Sequence, residues 1–174
     1  MVARSEAGWR SSSHSSTSFR SPTRKLQVAP FRGTFDHTLD AKKRLTMPAR
    51  YRSALAGGIV LAMLVDQQPC VGVWRPPEYE DYSRRALGDL PALSPRLAEL
   101  ERFFYGNSQD AELDAAGRVI VPAFLSEHAR LEKEIVIVGA GDRLELWSKD
   151  VWSAHQPTLL SGVADITANV DDTA

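Results

Sequence analysis

The sequence predicts an α+β fold, a pseudo-symmetric duplication of one β-hairpin and helix module with helices on the outside. Three observations carry that prediction. A motif of eleven residues occurs twice, offset by 74 positions. In each copy a short β-prone stretch is ended by a proline at the same place. After each proline an apolar run and an alternating stretch follow and close on a tryptophan. Self-similarity at a fixed offset is the signature of a repeated supersecondary unit.

The first copy reads Leu39-Asp40-Ala41-Lys42-Lys43-Arg44-Leu45-Thr46-Met47-Pro48-Ala49, and the second Leu113-Asp114-Ala115-Ala116-Gly117-Arg118-Val119-Ile120-Val121-Pro122-Ala123. Leu, Asp, Ala, Arg, Pro and Ala coincide, and most intervening positions keep their apolar or polar character. Further on, Cys70-Val71-Gly72-Val73-Trp74 aligns with Arg143-Leu144-Glu145-Leu146-Trp147 at an offset of 73.

Within each module, residues 44–47 and 118–121 are short strands that follow an Asp-led turn, so with the residues before the Asp they read as a hairpin. Pro48 and Pro122 end these strands and suit a first helical turn, which predicts short helices over 49–55 and 123–131. The apolar runs 59–65 and 135–138, each with the stretch ending in Trp74 or Trp147, read as strand pairs whose tryptophans pack into the core. A second helix follows in each half, over 76–87 and 149–155. Between the halves Ser94-Pro95 is an N-cap with proline at the first helical position, Leu97, Leu100, Phe103 and Phe104 form an apolar stripe at helical spacing, and Gly106-Asn107 is the stop. The expected division is a first repeat over 31–80, linking helices over 81–107 and a second repeat over 108–155.

The flanks read differently. Residues 1–30 are rich in Ser and Arg and lack the apolar content that offsets ordering entropy, so they are expected to be a disordered tail. Their composition loosely fits an organelle transit peptide, but a variable tail or an over-long translated start fits better, since the folded pattern begins only around Phe31. Residues 156–174 carry weak periodicity and are expected to be a flexible tail.

Composition narrows the function. The 174 residues are 43% apolar and 25% charged, ordinary for a globular chain. The longest apolar run, near 58–65, is too short for a membrane span. A lone Cys70 and four scattered histidines make no zinc pattern and no internal disulfide. The net charge of −1 hides an asymmetry. Residues 1–30 hold five basic residues against Glu6, a net of +4, while 31–174 hold sixteen basic and twenty-one acidic residues, a net of −5. Nucleic-acid binding would therefore need a local basic cluster repeated over several subunits, because counterion release scales with the phosphates neutralised together.

Such a cluster exists. Lys42, Lys43, Arg44, Arg50 and Arg52, with Arg32 upstream, surround the first hairpin and helix start. In an otherwise acidic body this is either a solvated face or a concentrated contact surface. The Asp-x-x-x-Arg pairs, Asp40 with Arg44 and Asp114 with Arg118, are either salt bridges that steady a turn or a mount for an outward guanidinium that meets phosphates or guanine edges. Gly117 suits a turn needing positive φ, whereas Lys43 at the same place would incur about 1 kcal/mol in a left-handed conformation, so the two turns are expected to differ slightly. No Gly-x-Ser-x-Gly, Walker loop, His-Glu-x-x-His or Gly-x-Gly-x-x-Gly occurs, so no enzyme, cofactor or metal is expected.

These residues resemble the MraZ family, tandem-repeat relatives of the AbrB/SpoVT swapped-hairpin group. Phe31-Arg32-Gly33, the Asp40-to-Arg44 motif with Pro48, Trp74-Arg75-Pro76-Pro77-Glu78-Tyr79-Glu80, and Val138-Gly139 through Leu144-Glu145-Leu146-Trp147 carry the resemblance, which spans 31–155. Lys43 departs from it, standing where the family usually has glycine. The resemblance implies a swapped-hairpin, AbrB-like fold with a double-psi-like β-barrel core. It also implies a cytoplasmic, nucleoid-associated repressor of the division and cell-wall gene cluster, bound to repeated sites in double-stranded promoter DNA as a homo-oligomeric ring of eight or twelve. By position it assigns DNA contact to Arg44 with Asp40 and to Arg118 with Asp114. The competing readings are a structural oligomer and an antitoxin-like partner-binding protein.

Overall fold

The computed structural model describes residues 29–64 and 68–170, with side chains to residue 163. The reading of 1–30 as a tail thus falls almost wholly outside the described residues. In chain order the elements are β1 (Phe31–Thr38), β2 (Arg44–Thr46), α1 (Ala49–Arg52), β3 (Ile59–Met63), β4 (Val71–Trp74), α2 (Pro76–Leu87), α3 (Pro95–Gly106), β5 (Ser108–Ala111), β6 (Arg118–Ile120), α4 (Ala123–His128), β7 (Glu134–Gly141), β8 (Arg143–Ser148) and α5 (Lys149–Val170). The duplicated order of two strands, helix, hairpin, helix is present, with α3 inserted between the copies.

The pairing of strands crosses the repeats. Six strands form one antiparallel sheet in the order β1-β7-β8-β4-β3-β5, and β2 pairs with β6 in a separate ribbon. The first strand of each repeat therefore lies against the third strand of the other: β1 against β7 and β5 against β3. The two repeats meet at the centre of the sheet, where Val71 faces Leu146 and Val73 faces Leu144. The expected first hairpin closes only at its turn. Leu39 bridges Leu45, after which β1 and β2 leave for partners in the other repeat.

Alternation along the central strands explains the two cores. Ile59 and Leu61 face one side of the sheet and Val60 and Ala62 the other, and all four are buried. A strand that is apolar on both faces needs a layer on each. One side is covered by the ribbon and the short helices, through Leu45, Met47, Val119, Val121, Tyr51 and Leu125. The other is covered by α2 and α5, through Tyr79 and Trp152 against Trp74 and Trp147. Trp74 and Trp147 are both buried core residues, as their place in the repeat predicts.

Three expectations change. The β structure does not close into a barrel: β2 and β6 direct their ladder hydrogen bonds to each other, so among the described residues no ladder joins the edge strands β1 and β5. Helices α1 and α4 are shorter than predicted: past Arg52 the chain continues in tight turns, with Leu55 N–H bonded to the Arg52 carbonyl and Gly58 N–H to that of Leu55, and Arg130 takes a positive φ just past α4. Helix α5 is longer, running through Pro157 to Val170 where a loose segment from 156 is expected. Proline removes one intrahelical donor but does not end this helix, whose first turns are held on the sheet by Val151 and Trp152. No helix among the described residues is long and apolar enough to cross a membrane.

Candidate nucleic-acid interface

The two Asp-led turns are built alike. In the first, Asp40 Oδ1 accepts the backbone N–H of Lys42 at 2.8 Å and of Arg44 at 2.9 Å, and Oδ2 accepts Arg44 Nε at 2.6 Å. In the second, Asp114 Oδ1 accepts the N–H of Ala116 and of Arg118, each at 2.9 Å, and Oδ2 accepts Arg118 Nε at 2.8 Å. Each carboxylate thus folds its own turn and aims the arginine four residues on. Backbone bonds from Lys43 N–H to the Asp40 carbonyl and from Gly117 N–H to the Asp114 carbonyl complete the match.

The electrostatics follow from these bonds. The Arg44 backbone N–H, then its guanidinium, hold the Asp40 carboxyl below the usual carboxylate range. The Arg118 side chain, then its N–H, lower Asp114 to about 2. Arg118 is pushed up in turn, first by its hydrogen bond to Asp114 and further by the charge of Asp114; the charge of Asp40, from the other repeat, adds to this. The two turns are close enough to share a field.

The ribbon explains that closeness. Leu45 faces Val119 across it, and both are buried. The alternating residues Arg44, Thr46, Arg118 and Ile120 must then share the outer face, with Arg44 opposite Ile120 and Thr46 opposite Arg118. Arg44 and Arg118 border one shallow depression together with Ile120 and Phe124, which are exposed. One arginine from each repeat is therefore presented on a single surface.

The other predicted residues are not all there. Lys42 lies exposed in the first turn. Lys43 takes φ 56°, beside 73° for Gly117, so the turns match where a difference is expected. Its half-buried side chain donates from the ammonium to the Leu131 carbonyl at 2.7 Å. Arg32 is on the edge strand β1, its carbonyl accepting the Tyr51 hydroxyl, and Arg50 on α1 lies 5.4 Å from the Phe35 ring centroid and 5.7 Å from that of Tyr51. These two belong to the β1–α1 corner and not to the ribbon.

The sequence placed Arg52 only in the basic cluster and did not single out Ser126, yet both pack against the turns. Arg52 donates from Nε to the Met47 carbonyl at 2.8 Å and crosses the space above Gly117, where a Cβ would lie 2.4 Å from that nitrogen. At the equivalent position of the second repeat stands Ser126, whose hydroxyl bonds the same Leu131 carbonyl that Lys43 uses. Aligning the two copies at an offset of 74 pairs Lys43 with Gly117 and Arg52 with Ser126. The reciprocal exchange of large for small was the signal available.

Comparison with known proteins agrees with this construction. A family model described as "MraZ protein, putative antitoxin-like" matches residues 31–94 and 104–169, one segment for each repeat. The chain is 34% identical over 145 residues to the transcriptional regulator MraZ of Hydrogenovibrio crunogenus, covering 80% of this chain and 95% of the relative. It is 35% identical over 142 residues to that of Heliobacterium modesticaldum, covering 82% and 97%. With that of Lactiplantibacillus plantarum it shares 37% identity over 142 residues, covering 82% and 99%. With both repeats matched in order and nearly the whole length of these relatives covered, the chain belongs to the MraZ family.

Proposed function

We propose that this chain is a sequence-specific DNA-binding transcriptional regulator. It represses the division and cell-wall gene cluster, its own promoter included, from the cytoplasm and nucleoid. It does so as a ring-shaped homo-oligomer of eight or twelve subunits on repeated sites. The observation that supports this reading best is the placement of Arg44 and Arg118, from different repeats, on the outer face of one ribbon. A two-stranded ribbon fits the major groove, and a guanidinium whose Nε is engaged by a carboxylate keeps its outer edge for guanine or phosphate. Each pair is internally neutral, so affinity in a body with a net charge of −5 comes from several ribbons meeting repeated sites at high effective concentration. The relatives' name, transcriptional regulator, supports the same class.

The test is binding to the chain's own upstream promoter DNA and to a scrambled duplex across a salt series, with wild type, Arg44→Ala and Arg118→Ala. The promoter is expected to bind more tightly, and each substitution to weaken promoter binding by roughly 1–3 kcal/mol while leaving the scrambled duplex less affected. Equal affinity of the wild type for both duplexes would overturn the reading and bring the antitoxin-like, partner-binding function forward.

A further inference from the structure

We infer that Lys43 and Arg52 are positioning residues that lock the two turns of the ribbon across the repeat boundary, and that Lys43 is not a phosphate ligand. The inference rests on the regulator reading for its functional meaning and on separate geometry for its substance. Lys43, in the first repeat's turn, reaches the Leu131 carbonyl of the second repeat at 2.7 Å. Arg52, also of the first repeat, occupies the room over Gly117 of the second repeat's turn. Backbone bonds run alongside these contacts, from Met47 N–H to the Gly117 carbonyl and from Val121 N–H to the Lys43 carbonyl, both at 2.9 Å. Each turn is thus held by the repeat it does not belong to.

The two braces are alternative solutions of one packing problem. Where the turn residue has a side chain, the helix residue opposite is small, as with Lys43 and Ser126. Where the turn residue is glycine, the helix residue is long and fills the gap, as with Gly117 and Arg52. In both cases the space beside the Asp turn is filled and a backbone carbonyl receives a cationic donor: Leu131 from Lys43, Met47 from Arg52. The consequence is a fixed separation between Arg44 and Arg118. A recognition surface made of two arginines discriminates sequence only if that separation is held, because base edges are read by geometry and phosphates largely by charge.

Two measurements test this. In thermal unfolding of the full chain, Ser126→Arg is expected to lower Tm, since the new side chain competes with Lys43 for one space. Adding Lys43→Gly to it recreates the second turn's arrangement and is expected to recover most of the loss. Absence of recovery overturns the exchange. In DNA binding, Lys43→Met keeps the stem and removes the ammonium. The dependence of log K on log salt is expected to stay as in wild type, while the promoter-to-scrambled affinity ratio falls by about tenfold. A salt dependence shallower by about 0.9, the change expected when one phosphate is no longer neutralised, would make Lys43 a phosphate ligand and overturn the assignment. If wild type itself shows no promoter preference, the regulator reading fails, and the Tm cycle alone decides whether the braces exist.

Discussion

Replacing Gly117 by alanine isolates what the second turn demands of its third position. Gly117 has φ 73°, a conformation in which an L side chain incurs about 1–2 kcal/mol. The new Cβ would stand 2.4 Å from Arg52 Nε and 2.6 Å from its Cδ, so the guanidinium must swing away. That movement breaks the bond to the Met47 carbonyl, which contributes about 1 kcal/mol net. The two effects together come to about 2–3 kcal/mol, or a Tm lowered by about 4–12 °C for a chain of this size. Differential scanning calorimetry on wild type, Gly117→Ala and the double variant Gly117→Ala with Arg52→Ser would read it. The double variant keeps the left-handed strain and likewise lacks the Arg52 bond to Met47, so it should unfold close to Gly117→Ala and well below wild type. A Gly117→Ala protein as stable as wild type would refute the reasoning, because neither the strain nor the crowding could then be real.

Three further outcomes follow from the same physics. Asp114 has its carboxyl lowered to about 2 by Arg118, so its contribution to stability is complete above pH about 4 and is lost as pH falls from there through about 2; Asp114→Asn should flatten the stability profile in that window, measured by urea unfolding at fixed pH values. Trp147→Ala removes a buried ring stacked on His155 and the indole N–H that donates to Glu145 at 3.1 Å, and should destabilise by about 3–5 kcal/mol in urea, with a retained midpoint excluding a core role. At Gly139 an added Cβ would lie 2.4 Å from the backbone nitrogen of Arg32, which cannot swing aside as a side chain can. Gly139→Ala should therefore loosen β1 from β7, seen as faster amide exchange in Phe31–Thr38 with the β3–β4 amides unchanged, and protection equal to wild type in β1 would count against it.

Local features were legible because they depend on neighbours in sequence. The Asp turns, the prolines opening α1 and α4, the Ser94-Pro95 start and Asn107 stop of α3, and the inward Trp74 and Trp147 all follow from propensity and periodicity. The end of α5 was not legible: past His155 the apolar pattern is weak and Pro157 reads as a break, while the helix is seeded by residues already docked on the sheet. Among the candidate site residues, Arg44 and Arg118 share a surface with their aspartates, but Lys43 turns onto the Leu131 carbonyl and Arg32 and Arg50 sit at another corner. Clustering in sequence ranked them together; direction of the side chain separates them.

The sequence by itself determined that this chain is one module used twice, and where the Asp turns, the short strands after them and the tryptophan-ended strand pairs fall. It could not determine partners, because a period of two says which side of a strand is buried and nothing about which strand lies beside it. Only the tertiary structure decided that β1 joins β7, β3 joins β5 and β2 joins β6, so that the repeats are completed by each other. That exchange sets Arg44 and Arg118 on one face and hands the support of each turn to the opposite repeat. Contacts between residues some 75 or more positions apart, such as Lys43 with Leu131, are selected by the packing of the whole and leave in the sequence only the paired change of size between the two copies.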